Sequence, residues 1–160
     1  MNHIFLKKNS IEIHNARINE ENLLVPISNV DSEAVNLFVI DNKNNTSFDD
    51  KFENAQFTMT GKIVFTESYA DACAINEVAG NTSVACYNLS NVHYVIEAFE
   101  AKGITVDGYV VVSRMQDNDL VSLESSLSRF NVDVLNSMQS VSIARLRKTL
   151  GGESAVLSLI

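Results

Sequence analysis

The sequence predicts an α/β protein: a mostly parallel sheet flanked by helices, with an N-terminal antiparallel β-meander. Three observations carry this. From Lys62 onward, short apolar or β-branched runs alternate with longer segments of helical spacing, the rhythm of strands joined by right-handed crossovers. Before Lys62 the apolar runs are short and separated by turn-forming polar residues. The run Ile63-Val64-Phe65-Thr66 reads as a buried strand and ends in a carboxylate, Glu67. In open α/β sheets the carboxyl ends of strands border the ligand crevice.

In the first twenty residues, the alternation Ile11-Glu12-Ile13 suggests a short strand. Leu23 to Ile27 is a strand, and Pro26, which has no N–H to donate, argues for an edge position. Ala34 to Ile40 is a second strand, followed by a polar turn from Asp41 to Ser47. Phe48, Phe52, Phe57 and Met59 anchor short strands or loops after it. Strand 62–67 leads into a helix over 69–79, whose small residues Ala70, Ala72 and Ala74 permit close packing on a sheet and which Gly80 closes. A strand over Ser83–Cys86 follows. Val92, Val95, Ile96 and Phe99 then mark a helix over 90–102, stopped by Gly103. Tyr109 to Ser113 is the third strand of this half. Leu120, Leu123, Leu127 and Phe130 define another amphipathic helix, and Val132 to Leu135 a fourth strand. Residues 142–150 read as a short basic helix, and 155–160 as a last strand or an interface segment. The organisation is a meander annex over 1–61 and an α/β core over 62–160, forming one compact unit.

A chain of 160 residues needs no disulfide or metal staple, since it can bury about two-thirds of its unfolded surface. No apolar run approaches the roughly 20 residues of a membrane span, and Ile4 to Leu6 is too short for a signal peptide. A cytoplasmic location is therefore expected, with Cys73 and Cys86 as reduced, packed thiols. His3, His14 and His93 are isolated, and no His or Cys spacing suits zinc. A net charge of −8 argues against broad binding to the nucleic-acid backbone. The basic residues are uneven, however: Arg145, Arg147 and Lys148 gather near the end. They suit either a helix C-terminus, where cations meet the macrodipole, or a contact with phosphate or a partner.

Two acidic features follow strands: Glu67, and Asp117-Asn118-Asp119. Neighbouring parallel strands end on one edge, so the three carboxylates have the means to converge. Oxygen donors without His or Cys suit Mg²⁺ or Mn²⁺, which orients and neutralises phosphate. The plainer reading makes Asp117 and Asp119 turn and N-cap residues of the helix that follows. Arg114 beside them suits a phosphate contact or an ion pair with Glu67. Asp71 and Glu77 read as solvated helix face, and Tyr87 and His93 as a packed aromatic and a surface histidine or as base-stacking groups.

Thr66-Glu67-Ser68-Tyr69-Ala70-Asp71-Ala72 with Ile75-Asn76-Glu77-Val78-Ala79-Gly80 resembles the Glu-Gly-Tyr-Ala-Thr-Ala and Ile-His-Glu-Ala-Thr-Gly stretch of Toprim domains, as in plasmid- and phage-type DNA primases. Val84 to Val92 resembles their next strand and turn, and Val110-Val111-Val112 with Asp117-Asn118-Asp119 resembles their Asp-x-Asp strand end. The meander also fits, at Leu23 to Ile27, Leu37 to Asp41 and Gly61. The resemblance covers about 20–125. It implies a Toprim-like fold, with Glu67, Asp117 and Asp119 binding Mg²⁺ and Glu67 as general acid or base.

Four departures stand beside the match. Ser68 replaces the glycine after the glutamate, and Asn88 an aspartate. Ser113-Arg114-Met115-Gln116 lengthens the path to Asp117, so that Ser113 and Met115 could equally hold the Asp-x-Asp positions. The segment Leu120-Val121-Ser122-Leu123-Glu124 replaces one containing Gly and Asn. Two functions are therefore carried forward. One is a stand-alone, catalytically degenerate module of a phage or mobile element that binds a protein of a nucleic-acid-processing machine, in replication or defence interference. The other is a Mg²⁺-dependent enzyme of phosphoryl transfer or phosphodiester hydrolysis on DNA or RNA.

Overall fold

The computed structural model describes residues 3–29, 31–47, 55–56, 62–113 and 115–137. The predicted basic helix over 142–150 and the apolar tail over 155–160 lie outside these residues, as do Phe48, Phe52, Phe57 and Met59.

The chain opens with a helix the sequence did not announce, α1 (Ile4–Asn9). His3 caps it: its Nδ1 accepts the Phe5 N–H at 3.2 Å, which leaves Nε2 to donate to the Glu21 carbonyl at 2.9 Å. Six residues are too few to display a 3.6-residue period, and histidine is not a usual N-cap. The strand suggested around Ile11–Ile13 does not form. Instead the Ile11 N–H bonds the Leu6 carbonyl, and Ile11 joins the core.

Strands β1 (Arg17–Asn19), β2 (Asn22–Ser28), β3 (Ala34–Ile40) and β4 (Thr46–Ser47) form an antiparallel sheet in that order. β2 is not an edge strand, since it lies between β1 and β3. The inference from Pro26 holds only on one side: β1 pairs no further than Leu24, so Pro26 is paired with Leu37 of β3 and has no partner in β1. The turn between β3 and β4 closes on Asp41, whose carboxylate accepts from the Lys43 N–H, the Asn45 N–H and the Asn45 amide, all at 2.8 Å. These bonds hold its pKa below the usual carboxylate value.

The second half is a five-stranded sheet. Its members are β5 (Ala55–Gln56), β6 (Ile63–Thr66), β7 (Thr82–Ala85), β8 (Gly108–Ser113) and β9 (Val132–Ser137), in the order β5-β7-β6-β8-β9. β5 is antiparallel to β7, and the other neighbours are parallel. The connections are α2 (Tyr69–Ala79), a 3-10 turn (Leu89–Asn91) running into α3 (Val92–Ala101), and α4 (Asp117–Leu127). Gly80 and Gly103 close α2 and α3 at φ 70° and 75°, left-handed values that cost glycine little.

Strand alternation divides the core. Val64, Ala85 and Val111 face one side, packed with Ala72, Cys73 and Ile75 of α2 and with Leu23, Val25, Ile27, Phe38 and Ile40 of the antiparallel sheet. Ile63, Phe65, Val84, Val110 and Val112 face the other, against Val92, Ile96 and Phe99 of α3 and Leu123 and Leu127 of α4. The meander thus forms a sheet of its own, with β2 beside β5, and shares a core with α2. Cys73 and Cys86 are free and buried, and burial raises both thiol pKa values.

β8 begins at a glycine because β6 lies against it. A Cβ on Gly108 would sit 1.8 Å from the Ile63 carbonyl oxygen, inside the β6 backbone. Gly108→Ala must therefore push two central strands apart, and we expect a cost of at least about 3 kcal/mol in urea unfolding. Gly103→Ala meets nothing within 4 Å and should cost about 1–2 kcal/mol, for its left-handed backbone alone. Equal losses for the two variants would refute the close-approach account.

Candidate functional site

The strand order places a switch point beside β6. The chain leaves β6 through α2 to reach β7 on one side, then returns through α3 to β8 on the other. Loops leaving β6 and β8 therefore diverge, opening the position where doubly wound sheets bind ligands. Glu67 stands there, exposed, directly after β6.

The turn after β6 is tightly specified. The Thr66 hydroxyl, buried, donates to the Ser68 carbonyl at 2.9 Å, and the Cys86 N–H donates to the Thr66 carbonyl at 2.7 Å. Ser68 is the N-cap of α2: its Oγ accepts the Asp71 N–H at 3.3 Å, with φ −93° and ψ 135°. That backbone needs no glycine, and the hydroxyl serves the helix. Asn88 has an equivalent use in the next turn, where its carboxamide oxygen accepts the Ser90 N–H at 3.0 Å. Tyr87, before it, takes a left-handed φ of 63°, uncommon for a bulky side chain, and packs its ring 4.9 Å from that of Phe38.

The second acidic feature is built differently from a strand end. β8 stops at Ser113, and α4 begins at Asp117 with Gln116 as N-cap. Asp117 and Asp119 occupy the first and third positions of the helix, exposed in its first turn. There they complement the macrodipole. Two residues apart on a strand, side chains share a face; two apart on a helix, they are about 200° apart and do not. Among the described residues, no group of three or more His, Cys, Asp or Glu side chains comes close enough together to hold a metal ion. Each carboxylate separately has the oxygen chemistry Mg²⁺ accepts, but the three do not assemble as a shared donor set. Arg114, Arg145, Arg147 and Lys148 lie outside the described residues.

The segment between β8 and α4 is held by Asn136 on β9. Its Oδ1 accepts the Met115 N–H and its Nδ2 donates to the Met115 carbonyl, both at 3.0 Å. This side-chain amide imitates one more rung of the sheet after the ladder has ended. Nothing in the residue spacing marks Asn136 for that role. Two other partners were equally hidden. Glu77, expected in solvent, accepts the Glu12 N–H and the His14 ring N–H on one oxygen, each at 2.7 Å, tying the N-terminal segment to α2. His93 lies with its ring 3.8 Å from that of Tyr94.

The fold defines a doubly wound α/β module with Glu67 exposed at its switch point. No family model matches the chain, and no curated protein sequence matches it. Among solved structures, the primase fragment of the bacteriophage T7 primase-helicase protein superposes with a TM-score of 0.65 at 13% identity, over 96% of this chain and 72% of that one. The DnaG primase catalytic domain bound to ssDNA gives 0.56 at 11% identity, over 96% of this chain and 59% of that one. The DnaG catalytic core gives 0.58 at 12%, over 98% and 63%. The fold is therefore a primase-like Toprim fold, as the resemblance implied, and the chain spans about three-fifths of each DnaG structure. Among the described residues, no helix is long and apolar enough to cross a membrane.

Removing the Asn136 clamp tests how the approach to Asp117 is held. Asn136→Ala should cost about 1–3 kcal/mol, the range for orphaned hydrogen-bonding groups, and should speed hydrogen exchange at the Met115 amide. Unchanged protection at Met115 would refute the clamp.

Proposed function

We propose that this chain is a Toprim-like module without metal-dependent catalysis, which binds a protein of a nucleic-acid-processing machine in replication or defence interference. The observation that carries this reading is the position of Asp117 and Asp119 inside the first turn of α4, on diverging faces, four and six residues past the end of β8. A helix start, not a metal, is what these acids serve. Glu67, Asp71, Asp117 and Asp119 give the carboxyl edge of the sheet a negative character, in keeping with the net charge of −8. Proteins that handle nucleic acid carry basic surfaces, and an acidic edge on a primase-like scaffold suits such a surface. It could mimic either the primase domain or nucleic acid itself. Under this reading the module comes from a phage or mobile element, and Arg114, Arg145, Arg147 and Lys148 add contacts to the partner or to phosphate.

The second reading is a Mg²⁺-dependent enzyme of phosphoryl transfer or phosphodiester hydrolysis on DNA or RNA, with Glu67 as general acid or base. It is favoured by the place of Glu67 at the switch point and by the likeness to primase catalytic cores. In that case Glu67, Asp117 and Asp119 would hold the ion, which would supply charge neutralisation at phosphate.

Mg²⁺ titration separates the two. A genuine site at about tenfold excess of metal over its dissociation constant adds about 1.4 kcal/mol, raising the unfolding midpoint by about 3–6 °C for a chain of this size. We expect no such rise in wild type or Glu67→Ala, and no metal-dependent cleavage of DNA or RNA. Stabilisation or cleavage that Glu67→Ala abolishes would establish the enzyme instead.

A further inference from the structure

The antiparallel sheet has two unlike faces. Leu23, Val25, Ile27, Phe38 and Ile40 point into the core. The alternate residues point outward, Leu24 beside Val39 and Pro26 beside Leu37, while Val35 sits unpaired at the bulge where the register shifts. Val35 and Leu37 are 43% and 41% exposed, while Leu24, Pro26 and Val39 are half-buried by their neighbours. A solvated sheet face ordinarily carries polar residues at these positions. Here four paired outward positions on the two strands are apolar, and so is Val35, exposed at the bulge beside them.

Charge singles out what can cover this face. The protein has 20 acidic and 12 basic residues, so copies of it repel one another over most approaches. The strands β1 to β4 contain one charged residue, Arg17, and no acid. Arg17 lies in the same outward row as Leu24, Val39 and Ser47, at the border of the apolar stripe. Two copies meeting here bring apolar surface together without opposing carboxylates in the strands. From these observations we propose that the outward face of the antiparallel sheet is where two copies of this chain associate, through an isologous contact of Leu24, Pro26, Val35, Leu37 and Val39.

The extent of the face sets the strength. The seven-residue strands β2 and β3 are about 23 Å long, and β1 and β4 add only three and two residues, a footprint of about 300 Å² on each copy. That lies below the standard interface of about 800 Å² per partner. The dimer is therefore weak and depends on protein concentration.

Sedimentation velocity of the full chain, from about 10 to about 500 µM, tests this. The weight-average mass of wild type should rise above the monomer value of 17.7 kDa with concentration. Leu37→Asp should weaken association at least tenfold, and Val35→Asp should do the same. The second variant serves if circular dichroism shows that the first does not fold. Val121→Asp adds the same charge at a residue 63% exposed on α4 and should leave association as in wild type. Raising NaCl from about 0.05 to about 0.5 M should strengthen the dimer, because repulsion between like-charged copies is screened. A wild-type mass that stays at the monomer value would overturn the proposal. So would association that survives both strand variants, falls equally with Val121→Asp, or weakens with salt.

Discussion

The structure depends on β6 being buried on both faces and paired on both sides. All four of its residues, Ile63 to Thr66, are buried. A strand in that position needs a helix layer on each face, and the crossovers supply them: α2 on one side, α3 and α4 on the other. The same requirement places β7 and β8 on opposite sides of β6 and so creates the switch point. Gly108 marks how little room remains, since no side chain fits between its backbone and the Ile63 carbonyl. Glu67 is the first residue past the buried strand and reaches solvent.

This arrangement explains why a chain only 11–13% identical to primase cores superposes on them over nearly its whole length. The features that bury β6 in this chain are the strand order, the small-residue face of α2 and the apolar strands beside it. None of these needs a carboxylate. Packing can therefore preserve the scaffold while the residues at its edge take other work, as Ser68 and Asn88 do in capping. A hydroxyl or carboxamide that satisfies a backbone N–H contributes on the order of 1 kcal/mol to stability, whether or not a ligand ever arrives.

Much of the second half was legible in the sequence, for a plain reason. Its helices are ten or eleven residues long, enough to show their period, and glycines close α2 and α3. The predicted span 69–79 matches α2 residue for residue. The first half was less legible because its determinants are not local. α1 rests on a histidine cap that also binds Glu21 across the chain, and β1 is three residues long. Pro26 pointed to an edge, whereas the relevant fact was where β1 stops. At the site, Glu67 could be placed from its strand alone. The roles of Glu77 and Asn136 required partners 63 and 21 residues away, separations that no sequence pattern records.

The region between Ser113 and Asp119 shows how a short change in path alters the chemistry open to the same residue types. On a strand, an Asp-x-Asp pair presents both carboxylates to one side, where a single cation can meet them. Once the strand ends at Ser113 and the helix begins at Asp117, the same spacing turns the two groups apart. Their charge is then balanced by the helix macrodipole, which stabilises an exposed acid by about 0.3–1 kcal/mol without any metal. Asn136 reinforces this outcome, because it holds Met115 in a sheet-like rung and so fixes where the helix can start. Carrying the acids back to the strand end would require breaking that clamp and unwinding the first turn of α4. Asp117 and Asp119 thus begin a helix whose approach is held by its own hydrogen bonds at Met115.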